Sequence, residues 1–246
     1  MDITFIAYIS FLTIFLASIL GSSMVFFFNK KKNFNSQIIN GFTSGIMIGA
    51  SILGLIIPSL NNSYNIRYLP VIGGITLGCL FIYLLDLFLR KIKINDSSCI
   101  KLFSALTLHN IPEGLAIGLS FSLALSTSSE IYLISALSLT LGISLQNIPE
   151  NLSLSLVLLE NTNNKFTSFI LGVLSCIVEP LFAIFAFYLT SNVESIMPLL
   201  LSFASGAMIY ITLDDILISS YQSKSNRLLV ISFMIGFCIM IILENI

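Results

Sequence analysis

"GFTSGIMIGA", residues 41–50, returns without a gap as "SFASGAMIYI" at residues 202–211. Phe42 and Phe203, Ser44 and Ser205, Gly45 and Gly206, Met47 and Met208, and Ile48 and Ile209 are identical pairs. A second repeat lies between these blocks: "HNIPE" at 109–113 returns as "QNIPE" at 146–150. Singly, either match says little, because small and apolar residues recur in greasy sequences. Their placement is what matters: each pair falls in two segments that the charge pattern orients in opposite directions.

That orientation starts from composition. With 56% hydrophobic and only 9% charged residues, against about 25% charged in ordinary soluble domains, the chain has too much apolar surface for one soluble core. A mean hydropathy of +0.99 agrees. Eight apolar stretches, near 4–28, 38–60, 69–89, 101–125, 131–158, 166–190, 196–220 and 227–244, have the roughly 20 residues that a spanning helix needs. Helices are required, since a backbone in lipid must satisfy its own hydrogen bonds. Short polar connectors such as "NKKKNFNS" and "ENTNNK" separate them. The expected fold is an all-α polytopic membrane protein, one transmembrane domain over residues 1–246.

The first stretch does not read as a signal peptide: its run is long, no small-residue cleavage site follows, and Asp2 is the only charge ahead of it. Lys30, Lys31, Lys32, Arg90, Lys91, Lys93, Lys101, Lys165, Lys224 and Arg227 all follow odd-numbered segments, and only Arg67 lies on the other side. By the positive-inside rule those loops are cytoplasmic and both termini extracytoplasmic, in an inner or plasma membrane of the cell. Segments two and seven then run oppositely, as do four and five. Segments 1–3 map onto 6–8 by inversion around a central pair, a 3+2+3 arrangement of the kind that secondary transporters use to build a midplane site. Glycines at four-residue spacing, Gly41/Gly45/Gly49, Gly74/Gly78 and Gly114/Gly118, read as close helix-packing stripes.

The chemistry sits in the central pair. A central Asp, Lys or Arg costs about 2.5–3.5 kcal/mol on insertion scales. Glu113, Glu150 and Glu179 nevertheless lie deep in their segments, where no Lys or Arg lies at similar depth. Such carboxylates must be protonated or hold a cation. His109, the only histidine, and Asn110 share one side of a helix with Glu113, and Gln146 and Asn147 repeat that spacing before Glu150. Pro112 and Pro149 each free a carbonyl one turn earlier, and Pro180 follows Glu179 directly. One imidazole with carboxylates and amides suits a borderline divalent ion such as Zn, Cd, Fe or Mn. Glu113 and Glu150 are each shared by two flanking sets, enough for two adjacent ions. The four cysteines show no CxxC spacing and read as packing residues.

"HNIPEGLAIG", "QNIPE", "GFTSGIMIGASILGLIIPS", the Glu179-Pro180 pair and "FASGAMIYITLDD" together resemble the ZIP family of divalent metal transporters. The resemblance covers nearly the whole chain. It implies eight helices, extracytoplasmic termini and a two-metal midplane site. His109, Glu113, Gln146 and Glu150 would form the first position, and Asn110, Glu113, Asn147, Glu150 and Glu179 the second. The family often has His where this chain has Gln146, and the His-rich loop of many members is replaced by "KIKINDSSCIK".

The function expected is a secondary transporter moving divalent metal, Zn first, into the cytoplasm, with Asp86, Asp214 and Asp215 as an exit vestibule. The ion is substrate; no prosthetic group is expected. The partners are the lipid bilayer and the metal, with a homodimer left open and nucleic acid excluded by the lack of a basic stripe. With no HExxH and no P-loop, the chain does not read as an enzyme. The alternative is a membrane-embedded sensor that holds metal without transporting it.

Overall fold

A computed structural model of the chain describes residues 2–27, 36–61, 68–91, 98–190, 196–221 and 226–245. Among them there is no strand. Eight helical rods lie where the apolar stretches predict them. Ile3–Ser23 (α1) continues into a tighter turn at Met24–Phe27. Ser36–Gly49 (α2), a wider-wound stretch Ala50–Ile56 and Ile57–Asn61 (α3) make the second rod, and Tyr68–Lys91 (α4) the third. Ser98–Thr127 (α5) and Glu130–Thr162 (α6) are the central pair. Lys165–Cys176 (α7) and Val178–Thr190 (α8) form the sixth, and Met197–Tyr221 (α9) and Arg227–Leu243 (α10) complete the set.

Six of these rods are long and apolar enough to cross a membrane by length and composition. The expectation was eight; α10 is a shorter apolar helix of 17 residues, and α5 carries the polar HNIPE block. The surface is apolar, and the interior holds polar groups alongside its apolar core. Leu12, Leu16 and Leu20 of α1, Leu84 and Phe88 of α4, and Ile231 and Ile235 of α10 are exposed. Ser10, Ser18, Asn110, Glu113, Gln146, Asn147, Ser155 and Glu179 are buried. That is the distribution lipid imposes: alkyl groups face the chains, and polar groups turn inward to find partners. Several hydroxyls do so within their own helix, Ser18 to the Ile14 carbonyl at 3.0 Å and Ser120 to the Ala116 carbonyl at 2.9 Å.

The packing obeys the inverted repeat. The four most extensive helix pairings are α2 with α10, α4 with α9, α5 with α8 and α1 with α6. Inversion maps the first pairing onto the second and the third onto the fourth. The second rod and α9 run antiparallel, as Ser59 meeting Pro198, Ser51 meeting Ser205 and Met47 meeting Thr212 show. The glycine stripes are the seams. A Cβ at Gly45 would overlap the Phe233 carbonyl of α10, at Gly78 the Phe203 carbonyl of α9, and at Gly118 the Ala183 carbonyl of α8. Toward the end where α1 begins, Phe11, Phe121 and Phe187 close the bundle edge to face, with Phe11 and Phe121 centroids 6.0 Å apart at 86° and Phe11 and Phe187 6.1 Å apart at 71°.

The wide turn at Ala50–Ile56 was not expected. Its hydrogen bonding skips five residues, as in Ile57 N–H to the Ile52 carbonyl. Pro58 cannot donate to Gly54, so the chain just ahead of it loses its regular partner and unwinds into the wider register.

Candidate metal centre

Proline is tolerated inside α5 and α6 because the surrounding helices keep both continuous past Pro112 and Pro149. The two helices bring their motifs face to face. Glu113 is wholly buried, and Gln146, also wholly buried, donates from Nε2 to Glu113 Oε1 at 2.5 Å. Asn147 donates from Nδ2 to both Glu179 oxygens, at 3.0 and 2.9 Å, and lies 3.1 Å from Ser18 Oγ. Asn110 Nδ2 donates to the Ser175 carbonyl at 2.9 Å, tying α5 to α7. Glu113 lies within electrostatic range of Glu150 and Glu179. No Lys or Arg occurs in α1, α2, α6, α8 or α9.

What is left over defines the chemistry. Glu113 Oε2 and Gln146 Oε1 are buried with no hydrogen-bond partner among the described residues. Both are acceptors, on facing helices, and a buried acceptor without a donor costs about 1–3 kcal/mol. Carboxylate and amide oxygens are the kind of group that suits a cation. Glu150 is half-buried and lines a cavity of about 180 Å³. Its walls include Thr43, Ser44, Met47, Ser153 and Asp215. At the opposite end of the second rod a cavity of about 190 Å³ is lined by Asn61, Tyr132, Ser135 and Glu244. Ser135 donates to Glu244 at 2.5 Å, and burial raises that carboxyl above its ordinary value.

The structure therefore gathers Asn110, Glu113, Gln146, Asn147 and Glu179 around α5, α6 and α8. His109 sits in α5, but its side chain lies outside the described residues. Among the described residues no three His, Cys, Asp or Glu side chains form a group that could hold a metal ion. Of the expected vestibule acids, Asp214 and Asp215 are both exposed and Asp215 lines the cavity beside Glu150, whereas Asp86 is half-buried on α4. The sequence does not mark Ser18, which accepts from Asn147, or Met47, which lines the Glu150 cavity, as site residues. Met47 had a signal: it is one of the identical repeat positions. Cys79, Cys176 and Cys238 are free thiols, Cys176 donating to Asn151 Oδ1 at 2.7 Å; the Cys99 side chain lies outside the described residues.

Comparison with known proteins gives an independent view of the same residues. The family model described as ZIP Zinc transporter matches residues 95–244. Zinc transporter ZIP11 of Homo sapiens is 38% identical over 143 residues, covering 58% of this chain and 42% of that protein. Zinc transporter GufA of Myxococcus xanthus is 34% identical over 140 residues, 57% of this chain and 52% of that protein. Zinc transporter ZupT of Clostridium perfringens is 33% identical over 138 residues, 55% of this chain and 46% of that protein. The chain thus spans about half the length of these curated relatives. Since the family model takes in well over half of this chain, with both proline motifs and Glu179 inside the match, the protein belongs to the ZIP family.

Proposed function

We propose that this protein is a secondary transporter that moves divalent metal ions, zinc foremost, across a cell membrane into the cytoplasm. The reading takes residues 1–246 as one transmembrane transporter domain with both termini outside, on the lysine and arginine placement described above. The observation that carries it is the pair of buried acceptors, Glu113 Oε2 and Gln146 Oε1, unpartnered among the described residues and beside helices α6 and α8, which contain no Lys or Arg. His109, Asn110, Glu113, Gln146, Asn147, Glu150 and Glu179 are the proposed ligands of two adjacent positions. An ion there exchanges its water for carboxylate and amide oxygens, and the acids must be deprotonated to hold it. The names of ZIP11, GufA and ZupT as zinc transporters support the choice of ion.

The cavity under Glu150 is the proposed way out. Asp215 sits on its wall, and Ser44, Thr43 and Ser153 supply hydroxyls along it. A released ion regains water there while still near a carboxylate. Asp215→Asn is expected to lower the initial rate of zinc uptake about three- to tenfold, a loss of the size expected for one partly solvated charge contact. Asp214→Asn, one residue away and not on the cavity wall, is expected to leave the rate within about twofold. Uptake assays on the two variants, normalised to protein in the membrane, check this. Equal losses from both would remove Asp215 from the path.

A further inference from the structure

Ser135, Leu139, Gly142 and Gln146 follow one another on one face of α6, since steps of four, three and four residues return to nearly the same direction on a helix. Along that face the surroundings change. Gln146 meets Glu113 in the candidate metal centre. Next come Gly142 against Met240 of α10 and Leu139 against Gly54 of the second rod, all four buried, which makes a dry plug. Beyond the plug, about 16 Å from Gln146 along the helix axis, Ser135 lines the cavity of about 190 Å³ that also holds Asn61, Tyr132 and Glu244. There α6 is tied to the end of α10. Ser138 Oγ donates to the Leu243 carbonyl at 2.8 Å, and Ser135 Oγ donates to Glu244 Oε1 at 2.5 Å. Glu244 Oε2 is buried with no hydrogen-bond partner among the described residues. Because α6 packs most extensively on α1, and α10 on α2, these bonds join two separately packed helix pairs.

An ionised carboxylate is poorly held in that seam. It has one hydroxyl donor for two oxygens, and the described cavity wall carries no Lys or Arg. A neutral carboxyl fits better: one oxygen accepts from Ser135, and its own O–H can donate, with Asn61 and Tyr132 on the same wall. We propose that Glu244 is a proton-operated latch on the outer side of the path: protonated, it stays against Ser135 and holds α6 to α10; deprotonated, it leaves for water and frees the seam above the plug. This rests on the transport reading above, in which an ion that reaches Gln146 from this cavity has to pass Leu139 and Met240. Burial raises the Glu244 carboxyl above its ordinary value, with the Ser135 bond acting the other way. The sign agrees, because the state that holds the proton more tightly is favoured as pH falls and loses that advantage as pH rises. Tyr132 of α6 is the other titratable group on the described wall; the second rod brings Leu53, Ile57, Pro58 and Asn61, and Glu130 is exposed at the start of α6, off the wall.

Leu139→Cys puts a reporter in the plug. Its reaction with a polar methanethiosulfonate is read at position 139 by peptide mass spectrometry, on the full chain in detergent, at about pH 5 and about pH 8, either side of where a raised carboxyl titrates. Each rate is divided by that of the same protein carrying Glu244→Gln, which cancels the thiol's own pH dependence. The ratio is expected to rise about fivefold from the acid to the alkaline condition, the effect of one net hydrogen bond on a two-state balance. A carboxylate acting only on the nearby thiol would lower the ratio instead, by keeping the thiol protonated. Adding Ser135→Ala is expected to speed labelling in acid, and Ser135→Thr, which keeps the hydroxyl, to restore the parent rate. A ratio that is flat or falls with pH, or a Ser135→Ala protein that labels no faster in acid, would overturn the latch. The labelling needs no metal movement, so absent zinc uptake with the expected ratio would count against the transport reading and leave the latch standing.

Discussion

Glu113→Ala is expected to abolish zinc uptake, by about a hundredfold or more, while the chain still inserts and folds. Glu113 belongs to both proposed metal positions, and a missing carboxylate removes the charge that offsets loss of the ion's hydration. The structural cost is small by comparison. Gln146 Nε2 loses its acceptor, about 1–3 kcal/mol, and the removal of a fully buried carboxylate from the helix interface offsets part of that. Glu113→Gln separates charge from shape: it keeps an acceptor for Gln146 and is still expected to lose uptake. Uptake by cells or vesicles, alongside protein quantity and melting temperature in detergent, checks both. Normal uptake by either variant at normal protein levels would sink the proposed site.

Gly45→Leu is expected to have the largest effect on the fold. A Cβ there overlaps the Phe233 carbonyl and lies 2.8 Å from the Phe237 nitrogen, so backbone rather than a flexible side-chain tip must give way. Overpacking of this kind costs about 1–3 kcal/mol or more, and in lipid the α2–α10 seam has close packing as its main source of cohesion. A melting temperature lower by on the order of 10 °C, or loss of the folded protein, is the expected result. Gly73→Leu is the control, because nothing lies within 4 Å of its Cβ position. It should melt within about 2 °C of the parent. If both variants melt alike, the glycine stripes are not the seams that hold the rods.

Much of this was legible in the sequence because lipid leaves little freedom. A spanning helix must be apolar for about 20 residues, so the eight rods fall within a few residues of the apolar stretches, α10 being the shortest. The inverted repeat was legible because Gly and Ser at matching positions meet matching backbones, as Gly45 and Gly206 do on α10 and α4. The pairing of Glu113 with Gln146 follows from two copies of one motif on antiparallel neighbours.

Other features depend on facts that spacing does not carry. Asp214 and Asp215 are adjacent, and a helix turns about 100° between them, so which one lines the cavity depends on the rotation of α9. The wide turn at Ala50–Ile56 has no compositional mark beyond Pro58, which lies outside it. Ser18 looked like one more small residue in a greasy helix until Asn147 turned toward it.

The measurement that bears most directly on the central claim is metal uptake into proteoliposomes holding the purified full chain, with Zn, Cd, Fe and Mn run in parallel and His109→Ala beside the parent. Fast uptake of zinc that falls at least about tenfold in the variant is the predicted result. Metal that binds the parent protein and never enters the vesicles would contradict it, and would make the same buried carboxylates and amides the site of a sensor.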